Sequence, residues 1–313
     1  GTWANSASPT GGTNGYSIPA AMQGILLTPG ATLNASASPS YNLNCGQRPF
    51  AYTPPSGFQC LCTSNLPNST ILKSNQYMDA TLYTGTRATQ SIVNTAGFKP
   101  DMVWCKTRSN VAEILVSDSI RGVTKQLFTS LTIAEQTDST MITAFNSNGF
   151  SLGDGSGGPY GNINYTIGGT YVGWQWAAGQ GTTSSNTSGS ITSTVSVNTT
   201  AGFSIVTYTA QSSGTATVGH GLGVAPSMII YKSRANANQW SVYHKSLSAG
   251  YYVVLNTTAA QSNTYNIFTT TLPTSTVFSM GTSAAGDGSV VAYCFAEIAG
   301  FSKFGSYTGN GSA

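Results

Sequence analysis

The chain has 313 residues, only 7% of them charged, and its net charge of +3 includes no basic run. An ordinary soluble domain carries about 25% charged residues. The charge pattern therefore does not predict binding to nucleic-acid backbones, and the lack of apolar runs of about 18 residues predicts no membrane-spanning helix. The 36 glycines, the abundance of Ser, Thr and Asn, and an apolar fraction of 40% predict an all-β protein with many turns.

The first 76 residues predict a short β segment followed by a linker. Residues 16–28 contain an apolar set typical of one or two strands. The adjacent Pro54 and Pro55 end any strand near them. Residues 68–76 have the composition of a linker into the next part of the chain.

The remainder of the chain repeats itself. MVWCKTR at residues 102–108 returns as MIIYKSR at 228–234, 126 positions later. YVGWQW at 171–176 likewise returns as VVAYCF at 290–295. A period this long is not that of a solenoid turn, so it predicts an array of separate domains.

These matches set the predicted domain boundaries. We place repeat domain 1 at residues 77–179 and repeat domain 2 at 191–300. The Gly, Ser and Thr composition of residues 180–190 predicts a flexible linker between them.

Short strands separated by turns are expected within repeat 1. Residues 101–108 and 171–177 alternate as strands do, and residues 132–138 are expected to form a loop or a single helical turn. Asn146 to Gly149 is a typical hairpin turn between two apolar segments. The spacing predicts tandem β-sandwich domains, jelly-roll-like, joined by Gly/Ser/Thr linkers.

The C-terminal residues begin like another repeat. YTGNGSA at residues 307–313 is similar to the openings of both repeats. We therefore expect residues 301–313 to be the opening strand of a third repeat, or a donor strand that adds to a sheet edge of another subunit. Phe301, Phe304 and Tyr307 are the residues expected to make that inter-subunit contact.

Catalytic, metal and cofactor chemistry is not predicted. The chain has nine carboxylates and two histidines, and it contains no nucleophile elbow and no carboxylate pair suited to glycoside cleavage. His220 and His244 have no histidine counterpart in repeat 1. Asp154 lies in a Gly-rich segment with too few carboxylates for calcium. We expect a protein that is not an enzyme and has no metal and no cofactor.

Most other distinctive residues are interpreted as structural. The five cysteines are expected to be small buried hydrophobes rather than a disulfide framework. Asp118, Arg121 and Lys125 are the densest polar cluster, interpreted as a structural ion pair that holds a loop. The tryptophans lie in alternating segments and are assigned to the core; they are Trp104, Trp174, Trp176 and Trp240.

Glycans are the ligands and modifications that the residue types allow. Tyrosines among Asn and Thr residues suit stacking on sugars, and the candidate contacts are Tyr160, Tyr165, Tyr251 and Tyr252. Acceptor sequons for N-glycosylation occur about as often as chance predicts, at Asn34, Asn68, Asn164, Asn186, Asn198, Asn256 and Asn310.

Several motifs resemble a known repeat domain. GFKPDMVW (97–104), DSIRG (118–122) and NGFSLG (148–153) in repeat 1, with VGHGLGVAP (218–226) and AYCFAEIAGFSKFGSYTGNG (292–311), resemble a repeat domain of uncharacterised function in tail-fibre and structural proteins of aquatic tailed phages. The resemblance extends from about residue 77 to the end of the chain.

An upstream segment resembles a second family. GQRPF (46–50) and PPSGF (54–58) are similar to the closing segment of SPRY-like sandwich domains, although a whole SPRY domain does not fit before them. Together the resemblances imply a virion fibre or another extracellular appendage, and they imply no chemistry that can be assigned to particular residues.

Three functions follow as expectations. The first is a non-enzymatic structural protein on a virion or outside the cell, a phage tail fibre or spike segment with weak glycan binding. The second is a self-assembling subunit of an extracellular helical filament joined by strand addition. The third, a glycan-degrading enzyme, is disfavoured by the scarcity of acids. Expected partners are copies of the chain itself and cell-surface glycans.

Overall fold

The computed structural model describes residues 69–157, 160, 162–284 and 286–311, and this part of the chain is built from β-strands. It contains two single 3-10 turns, Ser74–Gln76 and Thr282–Ala284, and no α-helix. The all-β prediction is confirmed. The strands are β1 (Met78–Thr84), β2 (Gln90–Val93), β3 (Met102–Thr107), β4 (Leu115–Asp118), β5 (Lys125–Phe128), β6 (Gln136–Thr137), β7 (Ile142–Asn146), β8 (Gly149–Leu152), β9 (Thr170–Trp176), β10 (Ser184–Asn186), β11 (Ser193–Asn198), β12 (Phe203–Thr209), β13 (Ala216–Gly219), β14 (Met228–Ser233), β15 (Ser241–His244), β16 (Val253–Val254), β17 (Val277–Met280) and β18 (Ser289–Phe295).

Each repeat consists of one large and one small antiparallel sheet. In repeat 1 the large sheet has the order β1-β9-β3-β4-β5-β6 and the small sheet β2-β8-β7. In repeat 2 the large sheet has the order β10-β11-β12-β18-β14-β15-β16 and the small sheet β13-β17. The series β1-β9-β3-β4-β5 corresponds to β12-β18-β14-β15-β16, so the repeated motifs occupy equivalent strands in the two halves.

A local turn signal sets the hairpin between β7 and β8. Asn146 pairs with Gly149 across the turn, as the sequence predicts. Gly149 has a φ of 151°, and a Cβ at this position would lie 1.9 Å from the carbonyl oxygen of Ile92 in the neighbouring strand β2. Only glycine fits such a close approach of two backbones.

Each sandwich has its own hydrophobic core between its large and small sheets. In repeat 1, Val103, Cys105 and Phe150 are buried in that core. In repeat 2, Tyr231 and Phe278 occupy the equivalent layer. Cys105 is a free, buried cysteine, and Cys294 in repeat 2 is another, which confirms their interpretation as buried hydrophobes.

A third hydrophobic core joins the two repeats. The outer faces of the two large sheets pack against each other, and residues 69–311 fall within one compact unit. The buried members of this shared core are Met102, Val116, Leu127 and Ala178 from repeat 1 and Phe203, Ile205, Ile230, Trp240, Val242, Val291 and Tyr293 from repeat 2. The long repeat period predicts separate domains, whereas the large sheets bury apolar side chains on both faces and require a second partner.

A buried ion pair lies at the edge of this shared core. Arg121 and Asp118 form an ion pair in which both side chains are fully buried. Tyr293 of repeat 2 donates its hydroxyl to Asp118 Oδ2 at 2.7 Å and accepts from Arg121 Nη2 at 3.2 Å. The predicted structural ion pair is therefore present, and it also connects the repeats. Lys125 is not part of it and donates instead to Thr137 at 2.7 Å.

Glu135 extends the polar network across the interface. Its carboxylate accepts from Arg121 Nη1 at 3.1 Å and from two nitrogens of Arg234 in repeat 2, at 2.8 and 2.9 Å. Lys232 of repeat 2 is buried and donates to the carbonyl oxygen of Thr132 at 3.0 Å. Each of these buried charges has a partner, as burial in a protein interior requires.

The segment between the repeats is not the predicted flexible linker. Its residues Ser184–Asn186 form β10, which pairs with β11 at the edge of the large sheet of repeat 2. Buried Asp101 accepts hydrogen bonds from the backbone N–H groups of Ala178, Gln180 and Gly181 at 2.7–2.8 Å. Asp101 lies about 80 positions before the segment, so the composition of the segment does not reveal this partner.

Other predictions fall outside the described part of the chain or differ in detail. The N-terminal segment up to residue 68, including the SPRY-like residues, Cys45, Cys60 and Cys62, lies outside it. Within residues 132–138, expected to be a loop or helical turn, the two-residue strand β6 pairs with β5.

Glu135 makes the stability of the shared interface depend on pH. Burial opposes its ionisation, but hydrogen bonds from Arg234 and the charge of Arg121 outweigh burial and lower the pKa of Glu135 in the folded state. Its contribution to stability is therefore present above the unfolded-state pKa of about 4.3 and is lost as pH falls through the lower folded-state pKa. We expect the urea midpoint to fall less steeply with acidification in Glu135→Gln than in wild type. Equal slopes below about pH 5 would contradict this assignment.

Candidate functional site

A polar and aromatic cavity opens in repeat 2, and we refer to it as the repeat 2 cavity. Its volume is about 350 Å³, at the small end of the range of known ligand pockets. It is lined by Tyr231, Ala237, Asn238, Gln239, Ser241, Tyr252, Tyr265, Ile267, Ser283 and Asp287.

Strand pairing and a turn position the floor of the cavity. Tyr231 in β14 pairs directly with Ser241 in β15, so both side chains lie on the same face of the sheet. Asp287 lies in the turn just before β18, next to Gly288, whose φ is 65°. This turn brings the carboxylate of Asp287 to the hydroxyl of Tyr231, which donates to it.

Asp287 is the only acidic residue that lines the cavity, and it is 6% exposed. Besides the Tyr231 hydroxyl, it accepts from Asn238 Nδ2 at 2.5 Å. Burial raises the pKa of Asp287, while the hydrogen bonds from Tyr231 and Asn238 act in the opposite direction. A carboxylate has about four lone-pair sites, so Asp287 retains capacity for further donors.

At the floor of the cavity, repeat 2 has polar groups at positions where repeat 1 has apolar packing. The strand pair equivalent to Tyr231 and Ser241 is Cys105 and Leu115. Cys105 and Leu115 are fully buried in the hydrophobic core of repeat 1. The same sheet position is therefore filled with apolar atoms in one repeat and with hydroxyl groups in the other.

The wall of the cavity, like its floor, is more polar in repeat 2 than the equivalent positions are in repeat 1. Alignment of β18 with β9 places Asp287 where repeat 1 has Gly168, and the 126-residue offset places Asn238 where it has Ala112. Four changes from small or apolar to polar residues therefore converge on one cavity.

The rim of the cavity presents unused polar groups. Tyr265 is 64% exposed, and Gln239 is also exposed beside it on the rim. In the part of the chain that the structure describes, the side chains of Gln239, Ser241, Tyr252 and Ser283 make no hydrogen bond to protein. These groups are available to a ligand or to water.

The four tyrosines predicted to contact glycans do not form one site. Tyr252 lines the repeat 2 cavity and is 4% exposed, whereas its neighbour Tyr251 does not line it. Tyr165 accepts a hydrogen bond from Arg87, whose guanidinium lies 4.2 Å from its ring centroid. Tyr160 packs near Phe128, with ring centroids 5.7 Å apart. Sequence reasoning missed Tyr265, Asn238 and Asp287, which only a position-by-position comparison of the repeats would have singled out.

The predicted glycosylation sequons differ in accessibility. Asn164 is fully buried, and its amide nitrogen donates to the carbonyl oxygens of Ala88 and Gly153 at 2.7 and 2.5 Å, so it cannot carry a glycan in the folded protein. Asn310 is exposed. Asn186, Asn198 and Asn256 are half-buried and accept backbone hydrogen bonds, while Asn34 and Asn68 lie outside the described residues.

Of the three C-terminal residues predicted to contact another subunit, two pack within their own chain and one is exposed. Phe301 packs edge-on against Tyr77 at 6.1 Å, and Phe304 packs against Phe295 at 6.4 Å within the same chain. Both line an apolar cleft of about 490 Å³ between the large sheets. Tyr307 is 93% exposed and is the one of the three that projects from the body.

Both histidines have structural roles. His220 is fully buried, its Nε2 lies 3.1 Å from the carbonyl oxygen of Thr274, and its Nδ1 accepts from Leu222 N–H. Burial lowers the pKa of His220, although the hydrogen bond to Thr274 acts in the opposite direction. His244 Nδ1 accepts from Ser246 N–H. Among the residues described, no three His, Cys, Asp or Glu side chains cluster as metal ligands would.

Comparison with protein families finds a match over most of the chain. A family model described as a domain of unknown function, DUF7483, matches residues 73–313. No curated protein matches the chain, and no solved structure matches it. None of the helical turns in the described part of the chain has the length and apolar character to span a membrane.

Proposed function

This chain belongs to the DUF7483 family, and from that premise we propose that it is a non-enzymatic structural module of an extracellular or virion fibre, such as a phage tail fibre or spike. Weak glycan binding is an accessory activity of this module. The observation that carries the proposal is the hydrophobic core that its two repeats share.

The shared core supports a mechanical role. Two large sheets packed face to face, with buried Trp240 and the Arg121–Asp118 ion pair between them, hold the repeats against each other. A fibre segment needs such stiffness, because relative domain motion is the default where interfaces are small and polar.

The surface chemistry supports an extracellular setting. With 7% charged residues, solubility depends on hydroxyl and amide groups. The resemblance of both repeats to phage tail-fibre domains points the same way.

The test is direct imaging of the chain in its native particle by cryo-electron microscopy. The proposal expects finite fibres in which each copy contributes one rigid two-repeat segment. A chain that is found as an isolated soluble monomer, joined to no fibre or particle, would overturn it.

A helical filament joined by strand addition is the second candidate, and it is favoured by an open sheet edge. β1 (Met78–Thr84) is an edge strand of seven residues, whereas the equivalent strand β12 is covered by β11 and β10. Tyr77 and Gly85 direct their backbone hydrogen bonds toward β9 and the loop before it. The backbone groups of the alternate residues between them therefore point away from β9. Of these, the Ala80 N–H and the Thr84 carbonyl are bonded to side chains of the same repeat, whereas the backbone of Leu82, whose side chain is 62% exposed, has no partner among the described residues.

Two variants separate the filament from the finite fibre. Deletion of residues 305–313 keeps Phe301 and Phe304 in the cleft but removes the C-terminal residues proposed to add to a neighbouring sheet, which form no strand within the described residues of one chain. Leu82→Pro blocks the open edge without changing the tail. The filament proposal expects both variants to stop polymerisation in sedimentation measurements, whereas a finite fibre expects neither to change the number of copies in the assembly.

A further inference from the structure

We propose that the repeat 2 cavity binds one neutral sugar unit of a glycan, with Tyr265 stacking on the apolar face of the sugar and Asp287, Asn238 and Gln239 bonding its hydroxyl groups. This inference rests on the accessory glycan binding in the proposed function, and it specifies the place and the chemical class of the ligand.

The composition of the cavity matches what a sugar presents. A pyranose ring has apolar C–H faces and a rim of hydroxyl groups that both donate and accept hydrogen bonds. Tyr265 offers an exposed aromatic face, and the carboxylate of Asp287 and the amide of Gln239 offer acceptors and donors around it. The volume of about 350 Å³ admits a single sugar unit and excludes larger ligands from full burial.

The charge of the residues around the cavity favours neutral sugars over anionic ones. Asp287 lies 6% exposed in the wall of the cavity, and no Lys, Arg or His is among the described residues that line it. The buried Lys232 interacts electrostatically with Asp287, but its amino group donates to the carbonyl oxygens of Thr132 and Asn236 and does not line the cavity. A carboxylate or phosphate on the ligand would therefore meet Asp287 with no cation in the lining to pair with. The cavity therefore suits neutral sugars and disfavours sialic acid and phosphosugars.

Structural need does not explain the cavity. Repeat 1 has the equivalent strands β3 and β4 side by side in its large sheet, and its equivalent positions Cys105 and Leu115 are packed with apolar atoms. Apolar packing at this site is thus compatible with the fold and avoids the cost of a buried carboxylate. Repeat 2 instead carries Tyr231, Ser241 and Asp287 around an open space, which is the arrangement of a binding site.

The test is saturation-transfer NMR on the full chain with the methyl glycosides of glucose, galactose, mannose and N-acetylglucosamine, and with N-acetylneuraminic acid as the anionic probe. We expect at least one neutral glycoside to bind with a Kd on the order of millimolar, as for a weak module used many times, and no binding of the anionic probe.

Variants assign the binding to the cavity. Tyr265→Ala and Gln239→Ala should each weaken binding by about fivefold to tenfold. Tyr307→Ala is the matched control, because Tyr307 is exposed and does not line the cavity, and it should bind like wild type.

Three results would overturn the inference: no neutral glycoside binds the wild type, Tyr265→Ala and Gln239→Ala both bind like wild type, or N-acetylneuraminic acid binds more tightly than every neutral sugar. Both substituted residues are exposed, so the variants should keep the thermal midpoint and the assembly state of the wild type. Loss of sugar binding with intact fibres therefore affects only this inference, and absence of fibres affects only the structural role.

Discussion

Replacing Arg121 with alanine will lower the free energy of unfolding by about 3–5 kcal/mol. The guanidinium is fully buried and contacts Asp118 and Glu135, while the Tyr293 hydroxyl from the other repeat lies within hydrogen-bond distance. Removal of the cation leaves Asp118 buried without an opposite charge, and this penalty is larger than the loss of the pair itself. The measurement is urea denaturation of the full chain at pH 7.

Two comparisons make the Arg121 result specific. Arg108→Ala is the matched control, because Arg108 is exposed and makes no side-chain bond in the described residues, and it should change stability by less than about 0.5 kcal/mol. Since the network spans both repeats, Arg121→Ala should shift the single transition of residues 69–311 as a whole. A change below about 1 kcal/mol, or separate unfolding of repeat 1 alone, would contradict the shared interface.

Trp240→Phe will lower the free energy of unfolding by about 1–3 kcal/mol, and Trp240→Ala by about 3–5 kcal/mol. Trp240 in repeat 2 is fully buried, and its indole N–H donates to the carbonyl oxygens of Phe128 at 2.9 Å and Leu131 at 3.1 Å in repeat 1. Phenylalanine keeps most of the ring packing but leaves these buried carbonyl groups without that donor. Chemical denaturation of the three proteins separates the two contributions.

Trp104→Phe is the matched control for this experiment. The indole N–H of Trp104 is buried and has no hydrogen-bond partner in the part of the chain that the structure describes. Its loss removes an unsatisfied donor, so the change should be near neutral or slightly stabilising. If Trp104→Phe and Trp240→Phe had equal costs, the hydrogen bonds between the repeats would not contribute measurably.

Local patterns in the sequence predicted the elements of the fold well. Alternation across residues 101–108 identified β3, and the turn at Asn146 to Gly149 identified the β7–β8 hairpin. These signals succeed because the alternation of side chains within a strand and the geometry of a turn depend on residues close together in the chain. The interpretation of Asp118 and Arg121 as an ion pair succeeded for the same reason, since they are three positions apart.

The candidate site was much harder to predict. Tyr252 was identified as a sugar-contact candidate, but Tyr265, Asn238 and Asp287 were not. These residues lie up to 49 positions apart and meet only where the turn before β18 folds back on β14 and β15. No short motif marks such a site, and the usable signal is the difference between the two repeats at equivalent strand positions.

Two properties of this protein follow from its amino-acid sequence without a structure: it is all-β, and it contains two copies of one unit, because periods and matches along the chain reveal both. The core that the copies share is visible only in three dimensions. Trp240 meets Phe128 across 112 residues, and Lys232 meets Thr132 across 100. The partner that covers an apolar strand face can therefore lie 100 residues away in the chain. A periodic pattern shows that a face is apolar, but it does not show which residues cover that face.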